Sequence, residues 1–230
     1  LSSFLLMPNA LLAIVTLPLV QLSWSYAGSQ GLGFCVILLA LARDKALRHR
    51  LWQEYRGAFN TNPLLAGTLA GVVYHHESRG EPNVPRLSNT LQSSLGAVGD
   101  VFFWKNLRPG LSAAAVAGAT FLPLAGPLAF LVPFAVVGQG VRKLGMLRAL
   151  ENGKAAALEL SGLLNSLSRW LVPAFAAVSG FLAVRAAATG PVLVVLVTGA
   201  AAWRLLGVRR LGAWLLPIAL LILLIVKVVL

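Results

Sequence analysis

Acidic side chains are scarce in this chain: seven Asp and Glu in 230 residues, against 19 Lys and Arg. Charged residues of both signs make up only 11%, where a soluble domain carries about 25%. Cysteine occurs once, at Cys35, so no intramolecular disulfide can form; inside its apolar stretch it reads as a small buried hydrophobe. There is no phosphate-binding Gly-Lys-Ser/Thr loop, no Gly-x-Ser-x-Gly and no Ser/His/Asp set with a local signature. These absences exclude a catalytic centre or cofactor site of any recognisable type. Apolar residues are abundant, at 58% with a mean hydropathy of +0.81. That balance rules out a soluble enzyme, a nucleic-acid module or a disordered tail. It points to an all-α integral membrane protein, with the lipid bilayer as its first partner.

The net charge of +12 carries no nucleic-acid signal. The basic residues stand between apolar runs rather than on one face, and membrane proteins keep Lys and Arg in cytoplasmic loops.

Residues 1–42 hold no charged side chain and are broken by Pro8, Pro18 and the cluster Ser25 to Ser29. The run is too long and too interrupted for a signal peptide, and the opening Leu leaves room for residues upstream. Leu32 to Leu41 suits a half-span or an interfacial helix. Residues 43–59 form an amphipathic basic helix, with Leu47, Leu51 and Tyr55 on one face and Arg43, Lys45, Arg48, Arg50 and Arg56 elsewhere. Such a helix lies along the inner leaflet or packs on its own protein. Pro63 to Tyr74 and Leu91 to Trp104 are short apolar pieces flanking a polar loop, Glu77 to Thr90. Both fall short of the ~20 residues of a spanning helix, so residues 60–109 are expected to form a core of re-entrant hairpins.

Residues 110–141 give a span kinked or split by Pro123, Pro127 and Pro133, and 142–169 a cytoplasmic segment. Three further spans are expected in 170–230, over 170–184, 186–203 and 211–226. Arg142, Lys143, Arg148 and Lys154, and then Arg204, Arg209 and Arg210, put 142–169 and 204–210 inside and the C-terminus outside. The fold class expected is therefore several transmembrane helices, short re-entrant hairpins and an amphipathic cytoplasmic helix, in one membrane domain.

Seven acids can be weighed singly. Asp44 and Glu54 belong to the basic helix and are expected to pair with its arginines. Glu151 and Glu159 lie in a polar stretch, and Glu81 in a Gly/Pro loop. Glu77 and Asp100 sit at apolar segments, where an ionisable group is costly and therefore a functional candidate. Asp100 fits a helix N-cap and a substrate contact equally well. His75-His76-Glu77 does not make a metal site, because adjacent His side chains diverge and no further ligands join them. Asn60-Thr61-Asn62-Pro63 reads either as a cap and turn or as a hydroxyl-recognition element, since an amide both donates and accepts.

These residues carry a resemblance. Phe59 to Gly67 resembles the Asn-Thr-x-Pro segment of IID membrane subunits of the mannose/fructose/sorbose phosphotransferase (PTS) family. Leu95 to Trp104, continuing through Leu107-Arg108-Pro109, is similar to that family's Gly-Asp-x-x-Phe-Trp followed by Arg-Pro. Gln21 to Tyr26 and Gln30 to Phe34 resemble its Trp-x-Tyr and Gln-x-x-Gly-Phe pattern.

The resemblance implies a non-catalytic subunit that pairs with a IIC chain, assembles as trimers of such pairs and carries a hexose across the bacterial cytoplasmic membrane. Separate IIA and IIB proteins would phosphorylate the sugar. The substrate contacts implied are Asn60, Asn62, Glu77, Asp100 and Trp104, with the Trp104 ring stacking on a pyranose face.

The chain also departs from the family. Ser93-Ser94 stand where a Gly-Pro is usual, and His76-Glu77 keeps one acid of a pair. Asn165 to Trp170 lacks an expected acid, and only residues 185–190 replace a large insertion. A shortened, partly divergent member is expected, and a non-transporting structural or regulatory subunit stands as the alternative.

Overall fold

The computed structural model describes residues 8–122 and 124–186. The described residues are helical, with two isolated β-bridges, Ser25 to Ser29 and Ser29 to Phe59. The chain divides into two compact units, Leu1–Pro173 and Ala174–Leu230. Of the second, the described part is the end of one helix. The expected spans beyond residue 186, and the orientation of the C-terminus, lie outside the described residues.

Pro8 and Pro18 each stand at the head of a short helix, α1 (Pro8–Thr16) and α2 (Leu19–Leu22). The apolar run of the N-terminal region is α3 (Gly31–Leu41), whose Phe34, Cys35, Ile37 and Leu38 are fully buried. The basic helix is α4 (Lys45–Tyr55). Its apolar stripe is spent inside the protein: Leu51 is buried, and Tyr55 meets Phe34 edge to face at 6.4 Å. Of the two placements open from the sequence, packing on its own protein is the one observed. Asp44 corrects an expectation as well: its carboxylate caps α4 by accepting the Leu47 N–H at 2.8 Å. Arg48 turns back to the carbonyls of Leu39 and Ala42, which close α3.

The expected hairpin is α5 (Ala66–Glu77) and α6 (Val84–Gly99). The loop between them is shorter than the composition implied, because Val84 to Thr90 is already helical. At about 18 Å, α5 is too short to cross a bilayer core of ~30 Å, and it is buried from Ala66 through Val73. Leu91 to Trp104 is not a separate piece. The helix continues from α6 through a π-helical segment, Asp100–Leu107, into α7 (Arg108–Phe121).

Extended backbone at Leu122 ends α7, and α8 (Ala125–Asn152) follows, with Pro127 in its first turn and Pro133 inside it. The expected kinked span is thus split between the end of α7 and the start of α8. Among the described residues α8 is the one helix long and apolar enough to cross a membrane. Its Leu128, Leu131, Val132 and Val136 are exposed in the isolated chain, as lipid-facing or partner-facing side chains would be. The second half of α8 packs against α5, each Gly of the Gly67 to Gly71 pair facing α8 backbone. Gly153, at φ +58°, turns the chain into α9 (Lys154–Ala186). The cytoplasmic segment expected over 142–169 is therefore the end of α8 and the start of α9, and 170–184 continues α9 without a break.

Candidate functional site

The N-terminal pattern and the Asn-Thr-Asn-Pro segment are stitched together. Ser25 and Ser29 exchange two backbone hydrogen bonds of 2.9 Å and close a turn that exposes Trp24 and Tyr26. The Gln30 N–H donates to the Phe59 carbonyl at 2.8 Å, and the Phe34 ring stacks on Phe59 at 3.8 Å. Buried Gln30 then accepts the Thr61 N–H at 3.2 Å, and the Thr61 hydroxyl donates to the Gln92 carbonyl on α6 at 2.9 Å. Residues 59–62 are thereby fixed from both sides.

Asn62, only 2% exposed, ties this segment to the next. Its side-chain oxygen accepts the Leu64 N–H at 3.1 Å, which turns the chain into α5. With that oxygen engaged, Nδ2 points outward and donates to Asp100 Oδ1 at 3.0 Å. Gly99 makes room for the pair. A Cβ there would lie 2.5 Å from the Asn62 Cβ and 2.6 Å from its Cγ.

Asp100 is exposed, and its second oxygen makes no hydrogen bond among the described residues. It is not a helix N-cap. Its backbone is helical, at φ −66° and ψ −39°, inside a continuous helix. The reading of Asp100 as a cap is corrected by the π segment that it opens. The Arg108 N–H bonds the Phe103 carbonyl, five residues back. Pro109 accounts for the widening, since its ring would collide with the Lys105 carbonyl in a regular α-helix. Long π segments are rare and recur at functional sites.

Trp104, four residues after Asp100, is half-buried. Its ring leans on Phe134 at 6.1 Å, and the Arg108 guanidinium stands over it at 6.0 Å. Asn60 is exposed on the segment that presents Asn62. Glu77 is elsewhere, at the far end of α5. Its carboxylate accepts the Tyr55 hydroxyl at 2.8 Å and Arg50 Nε at 3.0 Å, while Arg50 also donates to the Glu77 carbonyl at 2.8 Å. Burial pushes the Tyr55 phenol well above its usual range, and the hydrogen bond and charge of Glu77 push it further. The structure thus brings Asn62, Asp100 and Trp104 to one end of α5 and places Glu77 at the other, fastening α4. His75 lies 2.9 Å from the Leu150 carbonyl, and His76 is held between Glu81 and the Lys154 N–H.

The family motifs hold Gln30 and Gly99 without giving either a role, and the sequence reading gave no sign of the π segment. The Arg-Pro at 108–109 is the signal that could have found the last of these.

The sequence model of the PTS system mannose/fructose/sorbose family IID component matches residues 10–184. The chain belongs to that family. As a IID component it is 26% identical to the PTS system mannose-specific EIID component of Escherichia coli K12 over 156 residues, 63% of this chain and 55% of that one. It is 24% identical to the fructose permease IID component of Bacillus subtilis 168 over 151 residues, 61% of this chain and 55% of the relative. The matched IID region thus spans about half the length of the curated relatives.

Two solved structures share the fold at 24% sequence identity. One, described as the structure of a membrane protein, has a TM-score of 0.64 and covers 76% of this chain and 69% of its own. The other, a cryo-EM structure of the mannose transporter ManYZ with microcin E492, has a TM-score of 0.54 and covers 72% and 68%. By family the chain is a IID component of the PTS, and its described residues are all-α.

Proposed function

We propose that this IID component pairs with a IIC-type chain in the bacterial cytoplasmic membrane, crossing it several times, and binds and translocates a hexose. Separate IIA and IIB proteins phosphorylate the sugar on the cytoplasmic side, and the chain itself performs no chemistry. The working assembly is a trimer of IIC–IID pairs. The carrying observation is the Asn62–Asp100 pair, held by a buried amide on one side and a π segment on the other, with a carboxylate oxygen left open. The mannose and fructose in the names of the relatives support the substrate class. The likeness to a mannose transporter supports the partnership.

In this reading Asp100 accepts a sugar hydroxyl while Asn62 holds the carboxylate in place. Asn60 supplies a donor and an acceptor at the rim, and Trp104 packs on the pyranose with the face that Arg108 leaves clear. Glu77 serves the site at a distance, by anchoring α4 to the end of the hairpin core, 60–109. Replacing Asp100 with Asn turns an acceptor into a mixed group and weakens sugar binding by roughly 1–3 kcal/mol, about 5- to 150-fold in Kd. Calorimetry with mannose on the purified IIC–IID complex measures this. Unchanged affinity in an intact complex removes Asp100 from the site.

A second reading, a structural or regulatory subunit without transport, draws on two observations. One candidate acid, Glu77, is consumed by Arg50 and Tyr55, and the stretch Asn165 to Trp170 of α9 has no acid of its own. Sugar uptake in a strain deleted for this chain separates the two: flux is abolished in the first reading and persists in the second.

A further inference from the structure

A cleft of about 360 Å³ opens at the end of α5 remote from Asn62, between the α5–α6 loop, the first turns of α6 and the start of α9. His76, Glu81, Asn83, Arg86, Thr90 and Lys154 line it. Two helices, α6 and α9, begin on its wall, where α5 and α8 end.

The single acid in the lining, Glu81, is held by a hydrogen bond from His76 and keeps its charge, which offsets one of the two cations. The Lys154 N–H donates to His76 Nε2 at 3.3 Å, which places the imidazole proton on Nδ1, and Nδ1–H donates to Glu81 at 2.7 Å. The cations are not engaged. Arg86 and Lys154 are exposed, and among the described residues neither forms an ion pair. At the head of α6, Asn83 sits at φ +62° and makes no side-chain cap bond. Arg79, within the loop, adds positive charge at the same end.

We infer that this cleft binds a phosphoryl group, seated between the Arg86 guanidinium and the Lys154 ammonium at the start of α6. The guanidinium fork matches two phosphate oxygens, and a monoester carries about −1.5 to −2 charge, which suits two unpaired cations beside a helix N-terminus. A lone carboxylate would leave one cation unused. The phosphoryl group comes either from a soluble ester, such as a hexose phosphate, or from the headgroup of an anionic lipid. The cleft is large enough for the phosphate and part of what it is attached to.

The test uses the full chain purified in mild detergent with whatever partner accompanies it. Thermal shift and calorimetry are run with inorganic phosphate and with glucose 6-phosphate. Lipid retention is measured by native mass spectrometry after exchange into vesicle lipid, either phosphatidylglycerol or phosphatidylcholine. The variants are Arg86→Ala, Lys154→Ala and their combination, in which the backbone N–H that caps onto His76 remains.

The expected result is binding of at least one phosphoryl probe, weakened tenfold or more in the double variant while the melting temperature without probe is unchanged. Binding of phosphate and glucose 6-phosphate to lipid-stripped protein assigns the soluble source. Selective retention of phosphatidylglycerol, undisturbed by free phosphate, assigns the lipid. If no probe binds the wild type, or the double variant binds as well as the wild type, the proposal is overturned.

Discussion

Gly71→Val lowers the stability of this IID component by about 3 kcal/mol, while Gly162→Val changes it by no more than about 0.5 kcal/mol. The difference lies in what each new side chain meets. A Cβ on Gly71 would stand 2.6 Å from the Met146 carbonyl and 2.8 Å from the Ala149 Cβ, and only 3.1 Å from the Leu150 nitrogen. Two of those atoms are backbone and cannot rotate aside, so α5 and α8 must separate along the face where Leu69, Val72, Val73, Met146 and Leu150 are buried. Gly162, on α9, has nothing within 4 Å of its missing Cβ. A thermal melt of the detergent-purified variants reads the contrast. Equal melting temperatures for the two would show that the helices are not packed as closely as the structure has them.

Glu77→Ala is expected to cost roughly 1–3 kcal/mol, most of it from leaving the Tyr55 hydroxyl buried without a partner. Arg50 contributes little to that figure, because its side chain is 51% exposed and its charge stays hydrated when the carboxylate is gone. Glu77→Gln restores an acceptor for Tyr55 and recovers a large part of the loss.

The same pair has an alkaline signature. With the folded phenol raised above its unfolded value near 10, the stability it contributes is complete below about pH 10 and declines as the pH rises beyond it. Tyrosine absorbance follows the titration: Tyr55 ionises at lower pH in the Gln variant than in the wild type, because the negative charge that opposes its ionisation is removed. An identical titration in both would show that Glu77 does not face Tyr55.

Local features of the fold were legible where the sequence marks them locally. Proline and the Ser25 to Ser29 cluster broke the N-terminal region where helices α1 to α3 divide, and the spacing of Leu47, Leu51 and Tyr55 announced α4. The destination of the α4 stripe was not legible. An apolar face looks the same whether lipid or Phe34 covers it.

Asp100 shows a second limit. An acid before Val101-Phe102-Phe103-Trp104 has the composition of a cap, and the mark of a π hydrogen-bond register stands further on, at Pro109. Glu77 shows a third, since its partner Arg50 lies 27 residues away and only the fold brings them together. Asn62 and Asp100, 38 residues apart, were singled out by their chemistry and then by resemblance to family motifs, and their contact at 3.0 Å is a fact of the fold alone.

The proposed partnership makes this chain one half of a IIC–IID pair. Purification through a tag on the chain in mild detergent, with mass spectrometry of what co-elutes, puts it to the test. A IIC-type protein is expected in equal amount. Elution of the chain alone, or with unrelated proteins, would contradict it and leave the family motifs as a record of ancestry.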